Sequence, residues 1–214
     1  STSHMLASVF QSAGYKTGLY TSPHLKDFTE RIRVSGKEVS KDYIIHFINR
    51  IRPAIEEIKP SFFEITVVMA FDYFASQPVD IAVIEVGLGG RLDSTNVITP
   101  ELAVITNIGW DHKDILGDTL EKIAFEKAGI IKPGIPVVIS ERQKSIDKIF
   151  IERSLATHSP ISFASDDYRV VSKEFKDERS LSIYYKNKLL MENLVLPVQG
   201  VYQRKNILGV LKSV

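Results

Sequence analysis

The sequence predicts an α/β protein with a largely parallel sheet flanked by helices and a small antiparallel β appendage near residues 161–197. Three observations support this fold class. Helix-like and strand-like segments alternate over the first 160 residues, several of the strands are continuously apolar, and the segments become short and turn-separated from about residue 161. Strands that helices cover on both faces are apolar throughout, whereas half-exposed antiparallel strands alternate between apolar and polar residues.

The N-terminal part of the chain supplies the first helices and the first strand. A helix is expected at about 2–13, followed by the short strand KTGLY and the loop TSPHLKDFTERI. Isoleucine then recurs at helical spacing, which predicts an amphipathic helix at 41–58 that ends before Pro60. A further helix is expected through the apolar positions between 67 and 74.

The middle of the chain supplies the predicted parallel strands. These are DIAVIEV, ELAVITNI and IPVVIS, with helices expected near 118–129 and 144–157. Downstream, YRVVSKEF, RSLSIYYKN and KLLMENLVL are short and separated by turn residues, which is typical of antiparallel strands. The tail YQRKNILGVLKSV begins another helix.

Composition argues against several classes of function. The 27 Lys and Arg residues nearly balance the 26 Asp and Glu residues, so we expect no nucleic-acid partner and no attraction to anionic membranes. The absence of cysteine excludes disulfides, thiolate metal sites and a cysteine nucleophile. No apolar run reaches the roughly 20 residues of a spanning helix, and the start lacks a signal-peptide pattern, so we expect a cytoplasmic protein.

The stretch VIEVGLGGRLDSTNVI, residues 83–98, combines an apolar strand, a terminal carboxylate and bare backbone. Glu85 ends the strand, and glycines follow at once. At the carboxyl end of a parallel strand, such glycines would let a phosphate or substrate approach the backbone closely. The dinucleotide-binding fingerprint fits poorly, because Leu92 occupies its third glycine position and no helix pattern follows. The alternative that Glu85 is only the first acid of a tight turn stays open.

The next apolar strand also ends in residues that bind ligands. Asp111 and His112 follow Trp110 in the loop after that strand. Together with a hydroxyl such as that of Ser22, Glu85 and His112 could hold a hard divalent cation whose shell is completed by water. Imidazole is an uncommon magnesium ligand, so manganese and zinc stay open on composition alone, as does a simple surface turn at the Asp–His pair.

Five segments in this order resemble one enzyme family: YTSPHL..F.ERI, FFE.T, EVGLGGRLDSTN, TNIGWDH and EKAGIIKPGIPV. Together they are similar to folylpolyglutamate synthase and dihydrofolate synthase, which belong to the Mur-ligase-like, ATP-dependent ligases. The resemblance is specific over residues 1 to about 140 and loose over 160–200. It implies that 1–214 is a Mur-ligase-like ATP-binding domain, incomplete at its N-terminus and without the family's C-terminal glutamate-ligase domain.

The resemblance also implies a role for each matching residue. The magnesium ligands would be Ser22, Glu85 and His112. The catalytic residues would be Glu85, His112 and Lys127, the last of them carbamylated. The ATP-binding residues would be Ser1 and Asn206. The substrate-binding residues would be Ser61, Leu92, Asp93 and Ser94. A solvated helix lysine is the alternative for Lys127, and Tyr202 replaces the histidine that is usual in the motif around Asn206.

The implied reaction uses Mg²⁺ and ATP to join L-glutamate to dihydropteroate or folate. ATP would phosphorylate the acceptor carboxylate, and the glutamate amine would then displace phosphate. Two other functions stay open: a peptidoglycan Mur ligase, and a non-catalytic module that keeps the fold. Because the family's phosphate loop would precede Ser1, we expect the 214 residues alone neither to hydrolyse ATP nor to form amide bonds.

Overall fold

The computed structural model describes residues 1–110, 113–175, 178–196, 200 and 202–214. The helices are α1 (Thr2–Ser12), α2 (Lys41–Ile58), α3 (Phe62–Ser76), α4 (Lys113–Leu116), α5 (Leu120–Ala128), α6 (Asp147–Thr157), α7 (Ala164–Asp167) and α8 (Gln203–Ser213). The strands are β1 (Thr17–Tyr20), β2 (Ile32–Val34), β3 (Lys37–Glu38), β4 (Ile81–Ile84), β5 (Ala103–Ile105), β6 (Val137–Ile139), β7 (Ile161–Phe163), β8 (Tyr168–Phe175), β9 (Glu178–Tyr185) and β10 (Lys188–Leu194). Two 3-10 helices cover Phe28–Arg31 and Ser94–Val97.

The chain divides into two compact units. One unit is Ser3–Ile98, and the other is Ser1–Thr2 with Thr99–Val214. The α/β fold class is confirmed in both, and α2 has the bounds expected from its isoleucine spacing. That all 214 residues form one ATP-binding domain stays a prediction.

The sheet of the Ser3–Ile98 unit has the strand order β3-β2-β1-β4. Strands β1 and β4 run parallel, with Tyr20 opposite Ile84, while β1 and β2 run antiparallel, with Tyr20 opposite Ile32. The β2–β3 hairpin was not expected from the sequence. Its strands have three and two residues, and its turn uses two residues with positive φ, Ser35 and Gly36.

Helices α2 and α3 begin at serine caps and pack on this sheet. Ser40 Oγ accepts the Tyr43 N–H at 3.1 Å, and Ser61 forms a reciprocal capping box with Glu64. The apolar faces of the two helices and the sheet then bury one core. Its members are Tyr20, Ile32, Val34, Val39, Phe47, Val67, Met69, Ala70 and Phe74.

The other unit contains a parallel sheet of order β5-β6-β7. Helix α8 packs against it so closely that a Cβ on Gly209 would lie 2.0 Å from Ser140 Oγ. The antiparallel appendage is a separate sheet of order β10-β9-β8 and begins at Tyr168 rather than near residue 161. The earlier boundary was wrong because β7 pairs in parallel with β6, which apolar spacing alone does not reveal.

Strands β4 and β5 do not pair as neighbours in the described part of the chain. Strand β4 pairs with β1, and β5 pairs with β6, in different sheets. The apolar strands that precede Glu85 and His112 therefore do not pair with each other in the described residues. Strands β4 and β5 are both apolar, are consecutive strands along the chain and pair in parallel with a neighbour. Only their hydrogen-bond partners show whether they lie side by side or in different sheets. None of the helices in the described residues has the length and apolar composition that crossing a membrane requires.

Candidate functional site

Ser22 and Glu85 meet at the carboxyl end of β1 and β4. Because these strands are parallel and in register, the residues that follow Tyr20 and Ile84 leave the sheet at the same edge. The Glu85 N–H donates to the Tyr20 carbonyl at 3.0 Å, which extends the pairing by one residue. The Ser22 N–H then donates to Glu85 Oε2 at 3.2 Å. The structure thus brings two of the three predicted magnesium ligands together.

The Glu85 carboxyl lies in a partly desolvated position. Burial raises its pKa, against the opposing effect of the Ser22 N–H hydrogen bond. A cation beside this group would favour its charged form, and the Ser22 hydroxyl and the carboxylate are both oxygen donors of the kind that Mg²⁺ prefers. Their chemistry therefore fits the predicted metal.

The predicted third ligand, His112, lies outside the described residues. Within them, no group of three or more His, Cys, Asp or Glu side chains is placed to hold a metal ion. Of the three predicted ligands, the described residues therefore contain Ser22 and Glu85, and the role of His112 stays a prediction.

The glycine-rich loop is packed against the protein's own aromatic core. A Cβ on Gly87 would lie 2.3 Å from Phe63 Cζ, so the ring occupies the space that any side chain would need. Sequence reasoning had assigned such space to a phosphate or substrate. At Gly87 the close approach is made by Phe63, and Gly89, with φ of 68°, supplies the left-handed turn that follows.

Asp93 organises the remainder of this loop. Its Oδ2 accepts the Leu88 N–H at 2.8 Å, and its Oδ1 accepts the Thr95 N–H at 2.9 Å as the cap of the 3-10 helix. The side chain is buried. These contacts give Asp93 a structural role that sequence reasoning did not foresee, and its predicted contact with substrate stays a prediction.

The other predicted substrate residues lie in the same unit. Ser61 caps α3 and is exposed, and α3 packs against the 3-10 helix that begins at Ser94. Leu92 is 78% exposed at the tip of the loop. An apolar side chain this exposed is available to a ligand, but nothing in its contacts requires one.

Sequence reasoning missed a buried cation near this edge. Arg31, at the end of the first 3-10 helix, is only 8% exposed. Its Nε donates to His24 Nδ1 at 2.8 Å, and its guanidinium carbon lies 5.6 Å from the centre of the Phe62 ring. The Tyr20 hydroxyl is buried beside Arg31, and burial raises the Tyr20 pKa to about 12. The sequence signal was the ERI segment, which identified the family but not the burial.

The predicted ATP-binding residues meet in the other unit. Asn206 Nδ2 donates to Ser1 Oγ at 2.8 Å, although the two residues lie at opposite ends of the sequence. Gln203, one turn earlier on α8, is buried, and its Nε2 has no hydrogen-bond partner within the described residues. The structure thus brings Ser1 and Asn206 together, and their nucleotide role stays a prediction.

Lys127 lies in the last turn of α5 and is half-buried. The alternative of a solvated helix lysine stays open. The modification itself stays a prediction.

Comparison with known proteins supports the fold and the resemblance. The profile of the Mur ligase middle domain matches residues 1–214. The dihydrofolate synthase/folylpolyglutamate synthase of Bacillus subtilis is 37% identical over 213 residues, which are 96% of this chain and 50% of that protein. The chain therefore spans about half the length of this curated relative.

Solved structures agree with this match. A folylpolyglutamate synthase complex with AMPPCP and folate superposes with a TM-score of 0.91 at 32% identity, covering 99% of this chain and 53% of that one. Escherichia coli FolC in complex with DHPP and ADP gives a TM-score of 0.83 at 30% identity, covering 99% and 50%. With the profile match over its whole length, the chain belongs to the Mur ligase middle domain family.

Proposed function

We propose that the protein containing this chain is an ATP-dependent ligase that adds L-glutamate to dihydropteroate, to folates, or to both. The observation that carries the proposal is the Ser22 and Glu85 pair, in which the Ser22 backbone N–H donates to the Glu85 carboxylate at the carboxyl edge of parallel strands. Ligands bind at this edge in open α/β sheets. The relatives' names support the substrates, since they are folate-linked synthases matched over nearly the whole of this chain.

The chemistry begins with activation of a poor electrophile. A carboxylate oxygen of the acceptor attacks the terminal phosphorus of ATP, the bond to ADP breaks, and an acyl phosphate forms. The neutral amine of glutamate attacks the acyl carbon, phosphate leaves with the bonding electrons, and the amine nitrogen loses a proton. Phosphoryl transfer depends mainly on positioning and charge neutralisation.

Ser22, Glu85 and His112 would hold Mg²⁺, which supplies charge neutralisation at the phosphate oxygens when bound. Ser1 and Asn206 would contact the nucleotide, and Ser61, Leu92, Asp93 and Ser94 would line the acceptor pocket. A carbamate on Lys127 would replace a cation by an anion that can orient a second metal ion.

The test uses the whole natural protein that contains these residues. It is incubated with ATP, Mg²⁺ and L-glutamate together with dihydropteroate or tetrahydrofolate, and both phosphate release and the mass of the product are measured. We expect phosphate release that depends on the acceptor and a product heavier by one glutamyl residue. Omitting either the acceptor or glutamate gives the matched controls.

Two other outcomes would redirect the proposal. Turnover with a peptidoglycan precursor and none with either folate acceptor would identify a Mur ligase of the other kind. Binding of ligands with no turnover of any acceptor would identify a non-catalytic module that keeps the fold.

A further inference from the structure

Arg31 is a buried cation without a carboxylate partner among the described residues. With 8% of its surface exposed, its side chain is more than nine-tenths buried. Its Nε donates to His24 Nδ1 at 2.8 Å, and the Tyr20 hydroxyl lies beside it, so neither of these two groups is an anion. A buried guanidinium is costly unless an anion or several acceptors compensate for its lost hydration.

The carboxylates near Arg31 have other hydrogen-bond partners. Glu30 accepts the backbone N–H groups of the loop at Leu25, Lys26 and Asp27. Glu38 pairs with Arg33, and Asp27 pairs with Lys41 and caps the 3-10 helix. Asp93 accepts the Leu88 N–H in the glycine-rich loop, and Glu85 accepts the Ser22 N–H. Among the described residues, the Arg31 guanidinium thus meets His24 and the Tyr20 hydroxyl but no carboxylate.

The surroundings of Arg31 fix its orientation. His24 holds Nε from one side, and the Phe62 ring lies 5.6 Å from the guanidinium carbon. Phe28 contacts both rings edge-on, at 6.2 Å from His24 and 5.8 Å from Phe62. A guanidinium fixed in this way presents its remaining N–H groups as a planar fork, which is the geometry that binds a carboxylate.

The same surroundings indicate what is attached to the anion. Phe62 is 60% exposed although it lies against a buried cation, and Leu25 nearby is 92% exposed. An exposed aromatic ring beside a charged fork suits a flat ligand whose ring stacks on Phe62 while its acid reaches the guanidinium.

We propose that Arg31 binds the carboxylate of an aromatic acid, with the aromatic part of the ligand against Phe62. The proposal rests on the proposed function, in which pteroate is such an acid and its carboxylate is the group that ATP activates. Arg31 would then be a specificity residue for the acceptor, since it recognises the reacting carboxylate itself.

The test measures the coupling between Arg31 and the ligand's carboxylate. The whole natural protein and its Arg31→Gln and Arg31→Lys variants are titrated calorimetrically with pteroate and with pteroate methyl ester, which lacks the charge. Arg33→Gln is the matched control, because Arg33 lies two residues along the chain and is already paired with Glu38. Binding of AMPPCP is measured on every variant.

We expect the unsubstituted protein to prefer the acid over the ester by about 10-fold to 100-fold, as a charge-assisted hydrogen bond would produce. Arg31→Gln should bind both ligands about equally, and Arg31→Lys should keep part of the preference. Arg33→Gln should keep all of it, and AMPPCP affinity should not change. Circular dichroism confirms that each variant is folded, and Arg31→Lys provides the comparison if Arg31→Gln is not.

Several results would overturn this assignment. If Arg31→Gln keeps the preference, Arg31 does not bind the carboxylate, while the proposed function stands. If the variant instead weakens AMPPCP and leaves the preference intact, the anion is a nucleotide phosphate. If the unsubstituted protein binds neither pteroate nor folate, the proposed function fails, and the Arg31 assignment fails with it.

Discussion

Substitution of Gly87 by alanine should destabilise the Ser3–Ile98 unit through one identifiable clash. The added Cβ would lie 2.3 Å from Phe63 Cζ and 2.6 Å from Cε2. The φ of Gly87 lies outside the left-handed region, so the backbone itself tolerates alanine. The cost therefore comes from moving the ring, which packs against the buried core and lies 6.3 Å from the Tyr20 ring.

The size of the effect follows from this geometry. Forcing an extra carbon into a packed site costs about 1–3 kcal/mol of unfolding free energy. For a protein of this length, that corresponds to a fall in melting temperature of roughly 2–12 °C. Because Gly87 lies two residues after Glu85, a shift of this backbone should also weaken magnesium binding by the folded protein.

The assay is thermal unfolding followed by circular dichroism. Gly109→Ala is the matched control, because among the described residues a Cβ there meets only Asn107 Oδ1, at 3.9 Å. The double variant Gly87→Ala with Phe63→Leu removes the clashing ring edge, so its loss should be smaller than the sum of the two single losses. A melting temperature for Gly87→Ala that matches Gly109→Ala would refute the reasoning, as would strict additivity in the double variant.

Three further predictions concern charge. Glu85→Gln keeps the size but deletes the anion, so ligase turnover should fall by at least about 10-fold to 100-fold with unchanged circular dichroism, since one charged metal ligand is lost. Lys127→Ala should lose turnover that formate or acetate in the assay partly restores, because a small carboxylate replaces the carbamate. A hydrogen bond from Tyr43 and pairing with Arg50 lower the pKa of Asp72 in the folded protein. The ionised Asp72 therefore stabilises the fold fully above the pKa of about 4 that it has in the unfolded chain. This stabilisation is lost as pH falls through the lower pKa of the folded protein. The gap in unfolding free energy between the unsubstituted protein and Asp72→Asn should therefore narrow as pH falls below about 4 and close below the folded pKa of Asp72.

The two predictions about turnover have controls that isolate the charge. Glu57→Gln on the exposed face of α2 should leave turnover unchanged, as should Lys122→Ala on α5. Near-normal turnover of Glu85→Gln at limiting magnesium would make Glu85 a turn residue. Full activity of Lys127→Ala would rule out the carbamate. A stability gap for Asp72→Asn that stays constant over the whole acid range would show that the effect is not ionic.

Sequence patterns that act over a few residues predicted the longer helices. The isoleucine spacing predicted the bounds of α2, because periodicity acts within a few residues. The apolar positions between 67 and 74 predicted that α3 exists, and the Ser61 capping box sets its start at Phe62. Motif order predicted the family for the same reason, since a motif is contiguous in sequence. The β2–β3 hairpin escaped because strands of three and two residues are too short to show alternation.

The sequence alone determined the α/β class, the family resemblance and the residue types that could hold a metal. Tertiary structure decided which of these residues meet: Ser22 with Glu85, and Ser1 with Asn206. It also placed β4 and β5 in different sheets, and it gave the space beside Gly87 to Phe63. Arg31 is an example, because the segment ERI reads the same whether its arginine is solvated or buried. Burial and pairing depend on residues distant along the chain, and only the folded arrangement brings those residues within reach of each other.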